Sequence, residues 1–304
     1  MKRWVDQIYL LDAAREIDLF HGTNYFAPLK SPFPTVLTVH DLAVQLFPQM
    51  HPLRRRLRHR LLSTLCRRSA RVIVDSRSTR ADVVSLLGVP EDRIDVVCLA
   101  VDESFHRVDD PRQLDRVRLR YGLPQSFILF VGAIEPRKNL PSLLRAVASL
   151  RREGSAPPLV VAGSGRQRYV ERLQGIARAE GLEFGRDVFF TGYVDDADLP
   201  VLYSLCEVFV YPSLYEGFGL PPLEAMACGA PAVVLNNASA RELYGGCSLT
   251  VDEAGLAEGL SMLLGDPGLR EKLVERGLER ARSRNWDTVA AETLDVYRRA
   301  LAPG

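Results

Sequence analysis

The chain has 304 residues, 47% of them hydrophobic and 25% charged. That balance excludes a disordered or collagen-like chain, and the length fits one large or two ordinary domains. Lys and Arg number 39 against 38 Asp and Glu, so the formal net charge of +1 gives no global signal for nucleic acid. The five cysteines (Cys66, Cys98, Cys206, Cys228 and Cys247) form no C-x-x-C pair and no zinc-type spacing. Met1 to Asp6 and the short apolar run after them do not read as a signal peptide, and no window approaches the ~18 uncharged apolar residues of a spanning helix. A reduced, cytoplasmic protein is expected.

The first part of the sequence predicts a helix, then strands at Asp18–His21, Thr35–His40, Arg71–Asp75 and Ile94–Leu99. His40 and Asp41 follow a strand end, where α/β sheets present their working residues. Residues 51–80 hold ten Arg against one acid, Asp75. Leu53, Leu57, Leu61 and Leu65 recur every four residues and predict an amphipathic basic helix. Two readings fit it: a packed helix with a solvated basic face, or attachment to an anionic membrane surface or a phosphorylated lipid acceptor. The polar stretch 102–125 carries Pro111 and Pro124, has no strand pattern and marks a boundary. The expected division is 1–115, 116–286 and a closing helical segment 287–304.

Beyond the boundary, strands are expected at Phe127–Gly132, Leu159–Gly163, Val188–Gly192, Val208–Tyr211, Ala232–Leu235 and Ser248–Val251. FILFVG and PLVVAG are continuous apolar runs, as in strands buried on both faces of a parallel sheet. Strand–helix alternation predicts a doubly wound α/β architecture. Leu256, Leu260, Leu263 and Leu264 share a helical face. Asp287 reads as the N-cap of a last helix, Thr288–Leu301.

Two segments carry the chemistry. In YPSLYEGFGLPPLEAMACGAPAVV (211–234) a strand leads through a loop with Gly217 and Gly219 into a helix opened by Pro221 and Pro222 and closed by Gly229. Glu216 and Glu224 bracket the helix start with seven residues between them, and carboxylates accept hydrogen bonds from hydroxyl pairs. In FVGAIEPRKNLPSLLRAV (130–147) a buried strand ends at Gly132. Arg137 and Lys138 then stand just ahead of a helix, a charge placement suited to a diphosphate. AGSG (with Gly163 and Ser164) and FTGYVDD (with Tyr193 and Val194) end two further strands. Asp196-Ala197-Asp198 is a D-x-D string, read here as a helix start capped by Asp195 or Asp196 rather than as a metal site.

These strings resemble the E-x7-E and G-x-x-x-x-R-K-N elements of family 4 retaining glycosyltransferases with the GT-B fold, and the H-D-L string at 40–42 is similar to a mannosyltransferase-like subgroup. The resemblance implies two Rossmann-type domains facing a cleft, the N-terminal one shortened by about 70–90 residues on the scale of a full domain. It implies a nucleotide diphosphate sugar donor, GDP-mannose or a UDP-sugar, and a glycan, lipid-linked or small-molecule hydroxyl acceptor. No cofactor, metal or nucleic acid is implied. By the same resemblance Glu216 lies against the donor sugar and Glu224 binds the ribose. Gly217, Phe218, Gly219 and Leu220 offer backbone N–H groups, and Arg137 and Lys138 stabilise the diphosphate. Some relatives place an arginine directly after the glycine, where this chain has Ala133. Gly132, Gly163, Ser164, Tyr193 and Val194 line the donor pocket. His40 acts near the sugar and phosphate, while His21, Asp41, Ser76 and Arg77 face the acceptor side. The implied mechanism is front-face displacement, with no protein nucleophile. The alternative is a nucleotide-sugar-binding protein that lacks transfer or needs a partner to complete its first domain.

Overall fold

A computed structural model of the chain describes residues 17–29, 31–154 and 156–302. The helix expected ahead of the first strand lies outside the described residues. The chain divides into two units: one runs to Leu99 and takes back the closing segment from Trp286, the other spans Ala100–Asn285.

The first unit is built on four parallel strands in the order β1-β2-β3-β4: Phe20–Gly22, Thr35–Val39, Arg71–Val74 and Ile94–Val96. All five residues of β2, three of them aliphatic and two threonine, are buried, as in a central parallel strand. Helices α1 (Ala43–Leu46), α2 (Leu53–His59), α3 (Leu62–Arg68) and α4 (Arg77–Leu87) follow β2 and β3. The closing helix Trp286–Leu301 packs on β2 and β3. It begins one residue ahead of Asp287, which therefore sits in its first turn and does not cap it.

The amphipathic pattern at 53–65 resolves differently from a single packed helix. Regular helix is interrupted between α2 and α3, and the buried face becomes Leu62, Leu65 and Cys66. Of the four leucines in the periodic row only Leu65 is buried; Leu53, Leu57 and Leu61 are exposed.

The second unit holds six parallel strands in the order β10-β9-β8-β5-β6-β7: β5 Ile128–Val131, β6 Leu159–Ala162, β7 Val188–Gly192, β8 Val208–Tyr211, β9 Ala232–Leu235 and β10 Leu249–Val251. Strands β5, β6, β8 and β9 are buried along their full length. All ten strands expected from the sequence are present, with ends moved by at most three residues. The sheet grows outward in both directions from the adjacent pair β5 and β8. This reversal opens a crevice outside the carboxyl ends of those two strands.

The division falls at Leu99/Ala100, ahead of the boundary expected at 115/116. The intervening segment belongs to the second unit because it packs there. Phe105 and Tyr203 rings lie 6.1 Å apart, and the Val108 N–H donates to Ser204 Oγ at 3.0 Å.

Candidate active site

The crevice is floored by backbone. The Gly132 N–H donates to the Ala162 carbonyl at 3.0 Å, the Gly163 N–H to Gly192 at 2.8 Å, and the Ile134 N–H to Ser164 at 2.8 Å. The loops after β5, β6 and β7 are thereby laced edge to edge. Gly163 has φ +142°, and a Cβ there would lie 1.9 Å from the Gly132 carbonyl oxygen. Only glycine allows this approach. Ser164 stands exposed on this rim, as does the Tyr193 ring, whereas the Val194 side chain is buried.

The loops after β5 and β8 meet across the crevice. The chain turns through Pro136–Lys138 and leaves with Asn139 in the left-handed region before helix Leu140–Arg152. This turn aims Arg137 and Lys138 at the loop 212–219. The Leu214 N–H donates to the Arg137 carbonyl at 3.0 Å, and Arg137 Nη1 donates to the Tyr215 carbonyl at 2.5 Å.

Between the loops lies Glu216, 9% exposed. Its Oε1 accepts from Lys138 Nζ at 2.6 Å, Ser213 Oγ at 2.5 Å and the Tyr211 hydroxyl at 3.1 Å; its Oε2 pairs with Arg137 Nη1 at 2.6 Å. Lys138 Nζ also donates to the Tyr211 hydroxyl and stands 4.6 Å from the centre of that ring. Burial pushes the Glu216 carboxyl upward, but Lys138 and Arg137 outweigh it and hold the group below its ordinary value. Two cations and one carboxylate leave the cluster with one net positive charge in a mostly dehydrated place.

Glu224 takes no part in that cluster. It lies on the short helix Leu220–Ala227, where its Oε2 accepts from the Tyr203 hydroxyl at 2.9 Å and burial raises its pKa. Glu224 lines a cavity of about 730 Å³ together with Asp102, Phe105, His106, Asp196 and Leu199. That volume is in the range of small-molecule sites. Pro221 and Pro222 stand in the first turn as expected and lack N–H groups, so the donors at this helix start come from Leu220, Leu223 and the loop before them. Gly219 has φ +84°, and a Cβ there would meet the Tyr244 hydroxyl at 2.5 Å. That hydroxyl fixes the loop by donating to the Phe218 carbonyl at 2.7 Å. Gly217 lies between Glu216 and Phe218, and the Phe218 side chain is buried.

In the first unit the expected residues collect at the carboxyl ends of β1 to β3. The parallel register Val39↔Val74 sets His40 beside Asp75, and Nδ1 to Oδ2 measures 2.8 Å. His40 Nε2 lies 2.8 Å from the Thr23 carbonyl. The hydrogen bond that the His40 ring donates to the Asp75 carboxylate raises the His40 pKa above its ordinary value. His21 is held by the Tyr297 hydroxyl at 2.7 Å and by Thr38 Oγ1 at 2.8 Å, and burial lowers its pKa. Asp41 Oδ1 accepts from the Ala43 N–H at 2.9 Å, and Ser76 Oγ caps α4 by accepting from the Thr79 N–H at 3.0 Å. Both act on helix starts, while Arg77 is exposed.

Sequence reasoning missed Tyr211 and Ser213, which complete the cage around Glu216. Tyr211 closes β8 and Ser213 stands two residues beyond it in the Y-P-S string, and that position at a strand's carboxyl end was the available signal. It also missed Asp75 as the partner of His40. The D-x-D string resolves against the expected capping: neither Asp195 nor Asp196 caps a helix through its side chain. Instead Asp198, 1% exposed, takes Arg116 Nη2 at 2.7 Å, Arg120 Nη1 at 2.6 Å and the Tyr121 hydroxyl at 3.0 Å. These three lie on the helix Pro111–Tyr121, so Asp198 anchors that helix.

Two α/β units, each built on a parallel sheet, the second doubly wound with a charged crevice at its strand reversal, define the GT-B fold. Solved structures with the same fold include HepE from Anabaena in complex with UDP and glucose (TM-score 0.81, 22% identity, covering 95% of this chain and 80% of that one). Another is sucrose-phosphate synthase from Thermosynechococcus elongatus (TM-score 0.81, 24% identity, covering 98% and 77%). The chain belongs to the glycosyl transferases group 1 family, whose model matches residues 112–280, and the Glycosyltransferase Family 4 model matches residues 2–105. Among curated relatives, the O-antigen chain mannosyltransferase B of Escherichia coli is 32% identical over 286 residues, 92% of this chain and 74% of the relative. The serotype-specific mannosyltransferase WbdA of Escherichia coli is 31% identical over 291 residues; the match covers 92% of this chain and only 36% of that relative's length.

Proposed function

We propose that the chain is a retaining transferase that moves a hexosyl group, mannose in the first instance, from a nucleoside diphosphate sugar to a hydroxyl of a glycan or lipid-linked acceptor. The observation that carries this reading is the buried Arg137–Lys138–Glu216 cluster at the strand reversal, with its single surplus positive charge. A leaving diphosphate gains negative charge as the glycosidic bond breaks, and fixed cations in a dehydrated site stabilise that charge without reorganising. Glu216 holds both cations in place, and the loop it anchors borders the donor sugar. Glu224 and its cavity take the ribose end of the nucleotide. With Arg137 and Lys138 supplying the charge, transfer is metal-independent. The leaving phosphate oxygen takes the acceptor's proton, so the step calls for no protein nucleophile.

GDP-mannose is the leading donor because curated relatives are mannosyltransferases; a UDP-sugar is the second candidate, supported by the nucleotide bound to HepE.

The test is release of GDP or UDP from a panel of donors and acceptors in buffer containing EDTA, with the product's anomeric configuration read by NMR. Nucleotide release that yields product with the donor's configuration is expected. Inverted product, loss of activity in EDTA, or binding without release under every condition would each refute the corresponding part. Calorimetry with GDP and UDP adds a residue-level check. Glu224→Gln is expected to weaken binding about 10–100-fold, the worth of a hydrogen bond to a charged group; an unchanged affinity refutes the ribose assignment.

A further inference from the structure

The arginine-rich stretch of the first unit carries a surface that the transfer chemistry does not use. Leu53 is 63% exposed, Leu57 48% and Leu61 45%. Leu53 and Leu57 stand four residues apart on one side of α2, and Leu61 follows in the turn between α2 and α3. Solvated leucines are ordinary singly, but three within one short stretch are not. Arg54, Arg55, Arg56 and Arg60 stand among them, all exposed. Among the described residues no ion pair engages these four arginines; those of the first unit use His40, Arg71, Arg80, Arg298 and Arg299. From His51 to Val74 the sequence has no Asp or Glu, and the next acid, Asp75, is buried against His40.

We propose that this face docks on a lipid bilayer with anionic headgroups. The leucines enter the boundary between headgroups and acyl chains, and the arginines pair with lipid phosphates while their stems lie along the apolar layer. Charge decides the occupant. A second copy of the same face would set arginines against arginines, whereas an anionic surface complements them. No helix of the described residues is long and apolar enough to cross a membrane, so the contact is peripheral.

The experiment is co-sedimentation of the full chain with phosphatidylcholine vesicles and with equimolar phosphatidylcholine–phosphatidylglycerol vesicles. Binding is expected to the anionic vesicles only, and to fall at about 0.5 M salt, where the screening length shrinks to a few ångströms. The triple variant Arg54→Gln/Arg55→Gln/Arg56→Gln is expected to lower the partition coefficient about 100-fold, at roughly fivefold per arginine. Leu53→Ser/Leu57→Ser/Leu61→Ser is expected to lower it by at least about tenfold. The altered side chains are exposed, so both variants keep the wild-type circular dichroism and melting. Equal partition onto neutral vesicles overturns the proposal, as does undiminished binding by either variant. A self-associated form that the leucine variant abolishes, with no vesicle binding, overturns it in favour of an interface between copies. Vesicle binding needs no sugar donor, so this result and the nucleotide-release result stand or fall separately.

Discussion

Replacing Glu216 with Gln removes one charge from the buried cluster and almost no volume. Lys138, 8% exposed in its side chain, then keeps the Tyr211 hydroxyl and ring, the neutral amide and the weaker field of Glu135. Arg137 retains the Tyr215 carbonyl. Breaking a buried ion pair by removing one member costs about 3–5 kcal/mol, because the other charge stays desolvated. For a unit of this size 1 kcal/mol moves the melting midpoint by about 2–4 °C, so a fall of roughly 6–20 °C is expected at pH 7. The penalty depends on pH in a stated direction. Burial lowers the Lys138 pKa from 10.5, and Glu216 is the main group opposing that shift, so the variant lysine falls further. A lysine whose folded pKa lies below its unfolded one binds fewer protons when folded, so stability rises with pH between the two values. The gap between variant and wild type therefore narrows from pH 7 toward pH 10. It narrows in acid as well: wild-type Glu216 contributes stability above 4.5 that is lost as the pH falls through its lowered folded value. Differential scanning calorimetry across this range is the assay. The double variant Glu216→Gln/Lys138→Met should be more stable than the sum of the single changes predicts. A midpoint at pH 7 equal to wild type, or a gap independent of pH, would refute the assignment of Glu216 as the counter-charge. Nucleotide release should fall by about 100-fold, since the cations lose their fixed placement.

Two further expectations follow from geometry. Gly163→Ala should abolish folding or cost several kcal/mol, because its Cβ would overlap the Gly132 carbonyl, whereas Gly175→Ala, with nothing within 4 Å in helix Gln167–Ala179, should stabilise by about 0.5–1 kcal/mol; urea unfolding of the two variants checks the contrast, and equal effects would refute it. The His40 ring should titrate above 6.5 by NMR and drop when Asp75 is changed to Asn. Its share of stability is complete below pH 6.5 and lost as pH rises through the folded value, so an unmoved titration in Asp75→Asn refutes the pairing.

The sequence by itself determined the elements. Continuous apolar runs such as FILFV and LVVA satisfy their burial as central parallel strands, and the strands buried on both faces were legible for that reason. Proline at 221 and 222 and glycine at 163 and 219 encode helix starts and close approaches through their own backbone limits. The pairings were decided elsewhere. Glu216 meets Lys138 across 78 positions of sequence because β5 and β8 are neighbours in the sheet, and strand order is not written in either segment. His40 meets Asp75 through a register set by the pairing of β2 with β3. The same holds for Asp198, whose D-x-D spacing looks local while its three partners come from a helix some 80 residues earlier. It also holds for Leu53, Leu57 and Leu61, whose periodicity announces a helix but not whether anything covers it. Propensity and patterning act over a few residues. Whether a charge is neutralised or a leucine buried depends on which distant strand or helix arrives beside it, and only the tertiary structure fixes that.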